Sequence, residues 1–263
     1  MSHKILAVIG VSAALLAAPL AASAADLLPL KAPLPPPVMS WTGCYVDGGW
    51  GYGLWNQDHY LAPTVIPGVT TVTTTDGGRG WMGKVGGGCD YQTPLFNHRV
   101  VIGAFADWDP MSLKGSNTPQ LVTPTAIETF NSKETNAWYA GARAGYLVTP
   151  MFMTYFDGGY TRTHFSNSVE FGTTTGAATG FAFPSYSASG WFFGSGFEYA
   201  LNDWVPFHGL FLQTEYRYSQ YGTRALAEAS TATGLPTGNV ENVKPNVQTI
   251  TTALVWKFNW TGR

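Results

Sequence analysis

The stretch Val247-Gln248-Thr249-Ile250-Thr251-Thr252-Ala253-Leu254-Val255-Trp256-Lys257-Phe258-Asn259-Trp260 decides the fold. Ile250, Thr252, Leu254, Trp256, Phe258 and Trp260 share one parity, while Thr249, Thr251, Lys257 and Asn259 share the other. Successive side chains of a strand point to opposite faces, so this period of two describes a strand with one apolar face. A strand at the end of a sheet exposes unpaired backbone groups. Pairing it with the first strand satisfies those groups and closes a barrel.

Composition sets the solvent that such a barrel meets. Charged residues make up 11% of the 263 residues and aromatics 14%, and mean hydropathy is near zero. Soluble domains carry about 25% charge, so this surface is poorly suited to water all round. Past the N-terminus no apolar run reaches the roughly twenty residues a membrane helix needs. A chain of this kind enters a bilayer as a closed barrel, because only helices and barrels satisfy every backbone group in lipid. A net charge of -2 gives no reason to expect nucleic-acid binding, which requires a basic stripe to neutralise phosphates.

Lys4, the apolar run Ile5 to Leu20 and the small-residue motif Ala22-Ser23-Ala24 have the three parts of a cleaved export signal, giving residues 1–24. Residues 25–40 (ADLLPLKAPLPPPVMS) are rich in proline and read as an extended periplasmic spacer. The barrel is expected to occupy 41–263.

Alternating stretches recur at Trp41 to Leu54, Arg79 to Gln92, Arg99 to Asp109, Asn136 to Val148, Met151 to His164, Gly190 to Leu201, Gly209 to Tyr221 and Val247 to Trp260. Their lengths suit tilted membrane strands of about 9 to 11 residues. Long connections at 55–78, 110–135, 165–189 and 222–246 alternate with short ones at 93–98, 149–150 and 202–208. Long loops on one side and tight turns on the other predict an all-β, eight-stranded antiparallel up-and-down transmembrane barrel.

Parity assigns the faces. Trp81, Val85, Cys89 and Tyr91 alternate with Lys84, Asp90 and Gln92, and Trp138, Ala140, Ala142, Ala144 and Tyr146 with Arg143. Trp191, Phe193, Phe197, Tyr199 and Leu201 stand opposite Glu198, and Leu210, Leu212, Tyr216 and Tyr218 opposite Gln213, Glu215 and Arg217. Parity alone does not say which set is inside. Aromatics near strand ends (Trp41, Trp50, Tyr52, Trp81, Tyr91, Trp108, Trp138, Tyr146, Tyr160, Trp191, Tyr199, Trp256) read as interfacial girdles, which puts the apolar set on lipid.

Trp41-Thr42-Gly43-Cys44-Tyr45-Val46, Gly80-Trp81-Met82-Gly83, Arg143-Ala144-Gly145-Tyr146 and Gly196-Phe197-Glu198-Tyr199 open or close successive strands. In this order, with the export signal and the aromatic C-terminus, they resemble the small porin-like outer-membrane proteins of alphaproteobacteria, relatives of the OmpA membrane domain. The resemblance spans essentially the mature chain. It implies an eight-stranded barrel inserted by the outer-membrane assembly machinery, which recognises a terminal aromatic; Phe258 or Trp260 takes that part. It also implies outer-membrane lipid and lipopolysaccharide as neighbours. The chain departs from the family pattern by continuing through Thr261-Gly262-Arg263, by Cys44 where Phe is common, and by Phe105 where a lumenal acid is common. No peptidoglycan-binding domain follows the barrel, so no wall-anchoring role is expected.

The lumenal parity set holds Lys84, Asp107, Arg143, Asp157, Glu198, Glu215, Arg217 and Lys257. An eight-stranded barrel is just wide enough for its side chains to fill, so these charges are expected to pair into a plug. The alternative is a true diffusion pore whose ion preference they set. A further alternative is a secreted, lipocalin-like ligand-binding barrel, which requires an apolar lumen. Asp157 and Glu198 lack a matched nucleophile, so no enzyme is expected. His59, His98, His164 and His208 fall in loops and turns without metal-site spacing, and no cofactor is implied. Cys44 and Cys89 reach similar depth on one parity face of the first hairpin and can form a cross-strand disulfide, or remain as two thiols. The role expected is structural or surface-interacting, with weak pore activity as a lesser capacity.

Overall fold

The computed structural model describes residues 40–61, 73–95, 98–117, 128–172, 176–201, 204 and 209–258. The expected export signal, the expected spacer up to residue 39, His208 and Trp260 lie outside them. Eleven strands follow in order: β1 Gly43–Leu61, β2 Thr73–Leu95, β3 His98–Asn117, β4 Glu128–Thr149, β5 Phe152–Phe165, β6 Ser168–Gly172, β7 Ala178–Phe183, β8 Tyr186–Ala200, β9 Leu210–Tyr221, β10 Arg224–Ser230 and β11 Pro236–Phe258. All pairings are antiparallel. The ring β1-β2-β3-β4-β5-β8-β9-β11 closes by pairing β11 with β1, from Cys44 opposite Phe258 to Leu61 opposite Glu241. Closure removes the edges that a terminal strand would leave open.

Each expected stave is present, but several are much longer than a bilayer needs. Strand β2 has 23 residues, and its outward Trp81 and Tyr91 mark the interfaces. Ten residues at about 3.3 Å each, tilted by about 40°, span the ~25 Å apolar band of an outer membrane. The rest of β2 rises above it. There β6, β7 and β10 complete a second ring: β4 pairs with β6, β6 with β7, β7 with β10 and β10 with β11. The described parts of the segments 55–78, 110–135, 165–189 and 222–246, expected as loops, are therefore largely wall. Above the membrane the outer face meets water and the inner face buries polar side chains such as Gln57, His59 and Glu134 beside apolar ones, so no apolar alternation announces it.

The face assignment follows the parity. Ile250, Leu254, Trp256 and Phe258 are exposed on β11, while Thr249, Thr251, Ala253, Val255 and Lys257 are buried. Trp50, Trp81, Tyr91, Trp108, Trp138, Tyr146, Tyr160, Trp191 and Trp256 all lie on the outer surface. Trp41 is a correction. It is fully buried, donates its indole N–H to the Pro150 carbonyl at 3.0 Å and packs on Phe211 at 4.8 Å. It stands at the strand entrance on the lumenal parity, and it floors the barrel instead of joining the girdle.

Candidate functional site

The lumen is layered. A floor of Trp41, Val101, Leu147, Met153, Phe211 and Val255 closes one end, and Trp55, Met82, Leu113, Phe165 and Tyr221 fill the other. Between them lies the charge cluster. All eight residues expected there are inside, each at most 5% exposed.

Two groups form. In the first, Arg143 clamps Asp90, with Nε donating to Oδ1 at 2.8 Å and Nη2 to Oδ2, and its Nη1 reaches Glu198 at 3.2 Å. Lys257 Nζ bridges the same two acids, 2.9 Å from Asp90 and 2.8 Å from Glu198. Aromatic faces complete the shell. Arg143 lies over Tyr45 at 4.5 Å, and Lys257 over Trp41 at 4.5 Å and Phe211 at 4.8 Å. Such faces attract cations when both are withdrawn from water.

In the second group, Arg217 Nη2 donates to Asp107 at 2.6 Å, contacts Asp157 at 3.6 Å and pairs through Nε with Glu215. Lys84 Nζ donates to Gln213 at 3.0 Å and to Glu215 at 3.4 Å, and meets Asp107 at 3.5 Å and Asp47 at 3.9 Å. The Tyr155 hydroxyl donates to Glu215 at 2.8 Å while its ring faces Arg143 at 5.4 Å, tying the groups together. Phe105, Tyr139 and Phe192 surround the Arg217 guanidinium at 5.0, 4.8 and 5.2 Å. Phe105 thus replaces an acid with a ring against a cation.

Glycines give the carboxylates their room. Asp90 is opposite Gly103, Asp107 opposite Gly86 and Asp157 opposite Gly194 in the strand ladders. A Cβ on any of the three glycines would collide with the facing carboxylate oxygen. These three glycines are the seats of the acids.

Asp47, Tyr45 and Tyr155 belong to the cluster and were not expected in it; Asp90 and Gln213 were on the lumenal parity but outside the expected set. Asp47 has the parity of Tyr45 against outward Val46 and Trp50, a signal that the neighbouring glycines dilute. Packing is tight: the space among Tyr45, Asp47, Lys84, Asp107, Arg143, Asp157, Glu215 and Arg217 is too small for a water molecule.

The other expected residues resolve as follows. Cys44 and Cys89 are directly opposite on β1 and β2 and joined by a disulfide. Phe258 ends β11 on the outer face. His59 is not a solvated loop residue: it is buried on β1, with Nδ1 2.5 Å from Glu241 and Nε2 3.4 Å from Asp76. His98 lies near Tyr146, and His164 bonds Ser187 at 3.0 Å. On the extended part of β4, Glu134 is opposite Leu113 and Phe165 of the apolar layer, is buried and accepts from Thr163 at 2.6 Å. Burial pushes its carboxyl up to about 8.

A closed antiparallel barrel with an apolar outer band, aromatic girdles and an ion-paired interior is an outer-membrane β-barrel. Residues 11–258 match the family described as outer membrane protein beta-barrel domain, and the chain belongs to that family. It is 28% identical over 251 residues to the 31 kDa outer-membrane immunogenic protein of Brucella melitensis, covering 90% of this chain and 93% of that protein. The same figures hold for its counterpart from Brucella suis. Among solved structures, OprG of Pseudomonas aeruginosa aligns with a TM-score of 0.42 at 13% identity, covering 82% of this chain and 97% of that one. The Escherichia coli outer membrane protease OmpT aligns with a TM-score of 0.43 at 8% identity, with the same coverage. The protein is located in the cell outer membrane.

Proposed function

We propose that this barrel acts through its outer surface and rim, with its lumen shut, and that it neither conducts solutes nor catalyses a reaction. One observation carries the reading: four cations and six carboxylates interlock across the lumen, and the space around Lys84 and Arg217 is too small for a water molecule. An aqueous pore needs a continuous wet path, and pairs this deeply buried hold their geometry through mutual attraction and hydrogen bonds. Asp157 and Glu198, the carboxylates best placed by sequence for acid-base work, are committed to Arg217 and to Arg143 with Lys257. The wall that rises above the membrane presents a large outward face, in keeping with the immunogenic name of the Brucella relatives. During insertion, Phe258 serves as the aromatic read by the assembly machinery.

The test is solute uptake by proteoliposomes. The wild type is expected to leave small sugars and ions excluded. Uptake that scales with the amount of folded protein would establish the diffusion pore instead.

A further inference from the structure

We propose that the outer wall carries a binding site for the phosphates of a phosphorylated glycolipid of the outer leaflet, centred on Arg79, Lys114 and Lys133; this rests on the outer-membrane assignment. The chain segregates its charges by side. Among described side chains, every carboxylate except Asp58 is buried or nearly so, pointing away from solvent. By contrast Arg79, Lys114, Arg162, Arg224 and Lys244 are exposed and Lys133 half-buried, all toward the extracellular side of the girdle. Among the described exposed cations, only Arg99 is at the opposite end.

Three of these cations form a row. Arg79 is directly opposite Lys114 in the β2–β3 ladder, and Lys114 directly opposite Lys133 in the β3–β4 ladder. Like charges facing across a ladder repel, so such a row costs stability unless an anion bridges it. No described carboxylate lies within ion-pair distance of any of the three.

Position selects the anion. Arg79 stands two residues beyond the girdle residue Trp81, and Lys133 five residues beyond Trp138. The row therefore climbs from the lipid interface to the height of headgroup sugars. Arg162, opposite Trp138, flanks it at the interface. Guanidinium groups take phosphate oxygens in pairs, and lysine stems lie along an apolar wall while their ammonium groups reach outward. A site on the outer wall beside lipid-facing tryptophans meets a lipid before it meets a soluble anion.

The experiment titrates folded, detergent-solubilised protein with rough-type lipopolysaccharide, intact or enzymatically dephosphorylated, and reads the bound lipid by native mass spectrometry. The R79Q/K114Q/K133Q variant is expected to bind intact lipid at least about tenfold more weakly. R99Q should match the wild type, and added salt should narrow the difference because screening weakens exposed charges. Unshifted affinity in the triple variant, or equal binding of the dephosphorylated lipid, overturns the proposal. Complete displacement by millimolar inorganic phosphate would assign the row to a free anion and overturn it as a lipid site. Altered gel migration on boiling verifies that the triple variant is folded, and K114Q/K133Q replaces it if it is not.

Discussion

Arg143 reaches Asp90 across an intervening strand: β3 runs between them, and the residue it contributes at that level is Gly103, paired with both. Nε meets Oδ1 at 2.8 Å over the bare backbone. The plug is thus built from ladder geometry, with glycine setting where charges touch.

Removing one partner should cost more than removing both. Asp90→Asn leaves Arg143 and Lys257 short of a counter-charge in a dry interior, where breaking such a pair typically costs about 3 to 5 kcal/mol. Combining Asp90→Asn with Arg143→Met should cost less than the sum of the single changes. Urea unfolding in detergent, followed by loss of the fast-migrating gel band, measures the cycle. Additive losses would mean that the two residues do not act as a unit.

Gly103→Ala places a methyl against the Asp90 carboxylate and should destabilise by about 1 to 3 kcal/mol. The same holds for Gly86→Ala at Asp107 and Gly194→Ala at Asp157. Gly48→Ala is the control, since a methyl there meets nothing nearer than the Lys84 carbonyl at 3.9 Å. The gel-shift temperature of each variant reads the difference.

The Cys44–Cys89 bridge closes a loop of 45 residues. Chain entropy gives such a closure about 3 to 4 kcal/mol. Unreduced intact mass should show no free thiol, and reductant or Cys44→Ser with Cys89→Ser should lower the unfolding midpoint. Two alkylatable thiols in the untreated protein would contradict the bridge.

Glu134 lies four residues beyond Trp138, above the membrane, and its carboxyl is pushed up to about 8. An unfolded glutamate titrates near 4.5. Between these values the folded state holds a proton that the unfolded chain has released. Stability from this group is therefore full at low pH and falls as pH rises, by about 1.4 kcal/mol per unit, levelling off above the folded value. Glu134→Gln should flatten that decline. Its unfolding midpoint should match the wild type near pH 5 and exceed it near pH 9.

The eight membrane staves were legible because lipid outside and charge inside force a period of two, as in Trp81, Val85 and Tyr91 against Lys84 and Asp90. Strands β6, β7 and β10 were not, since water on the outer side leaves residues such as Thr179, Arg224 and Thr237 without a pattern. Parity gave every member of the expected charge set its side of the wall. It did not give partners, because those depend on how strands shear past one another. Apolar lumenal residues such as Phe192 and Phe211 also escaped a rule that sends polar side chains inward.

The most direct measurement is planar-bilayer conductance of the purified, folded protein beside its Arg143→Ala and Glu198→Gln variants. A lumen closed by interlocked ion pairs predicts a silent wild type, with any current confined to variants whose plug is broken. Steady, ohmic wild-type conductance that shifts its ion preference when Arg143 or Glu198 is neutralised would contradict closure and make the barrel a diffusion pore.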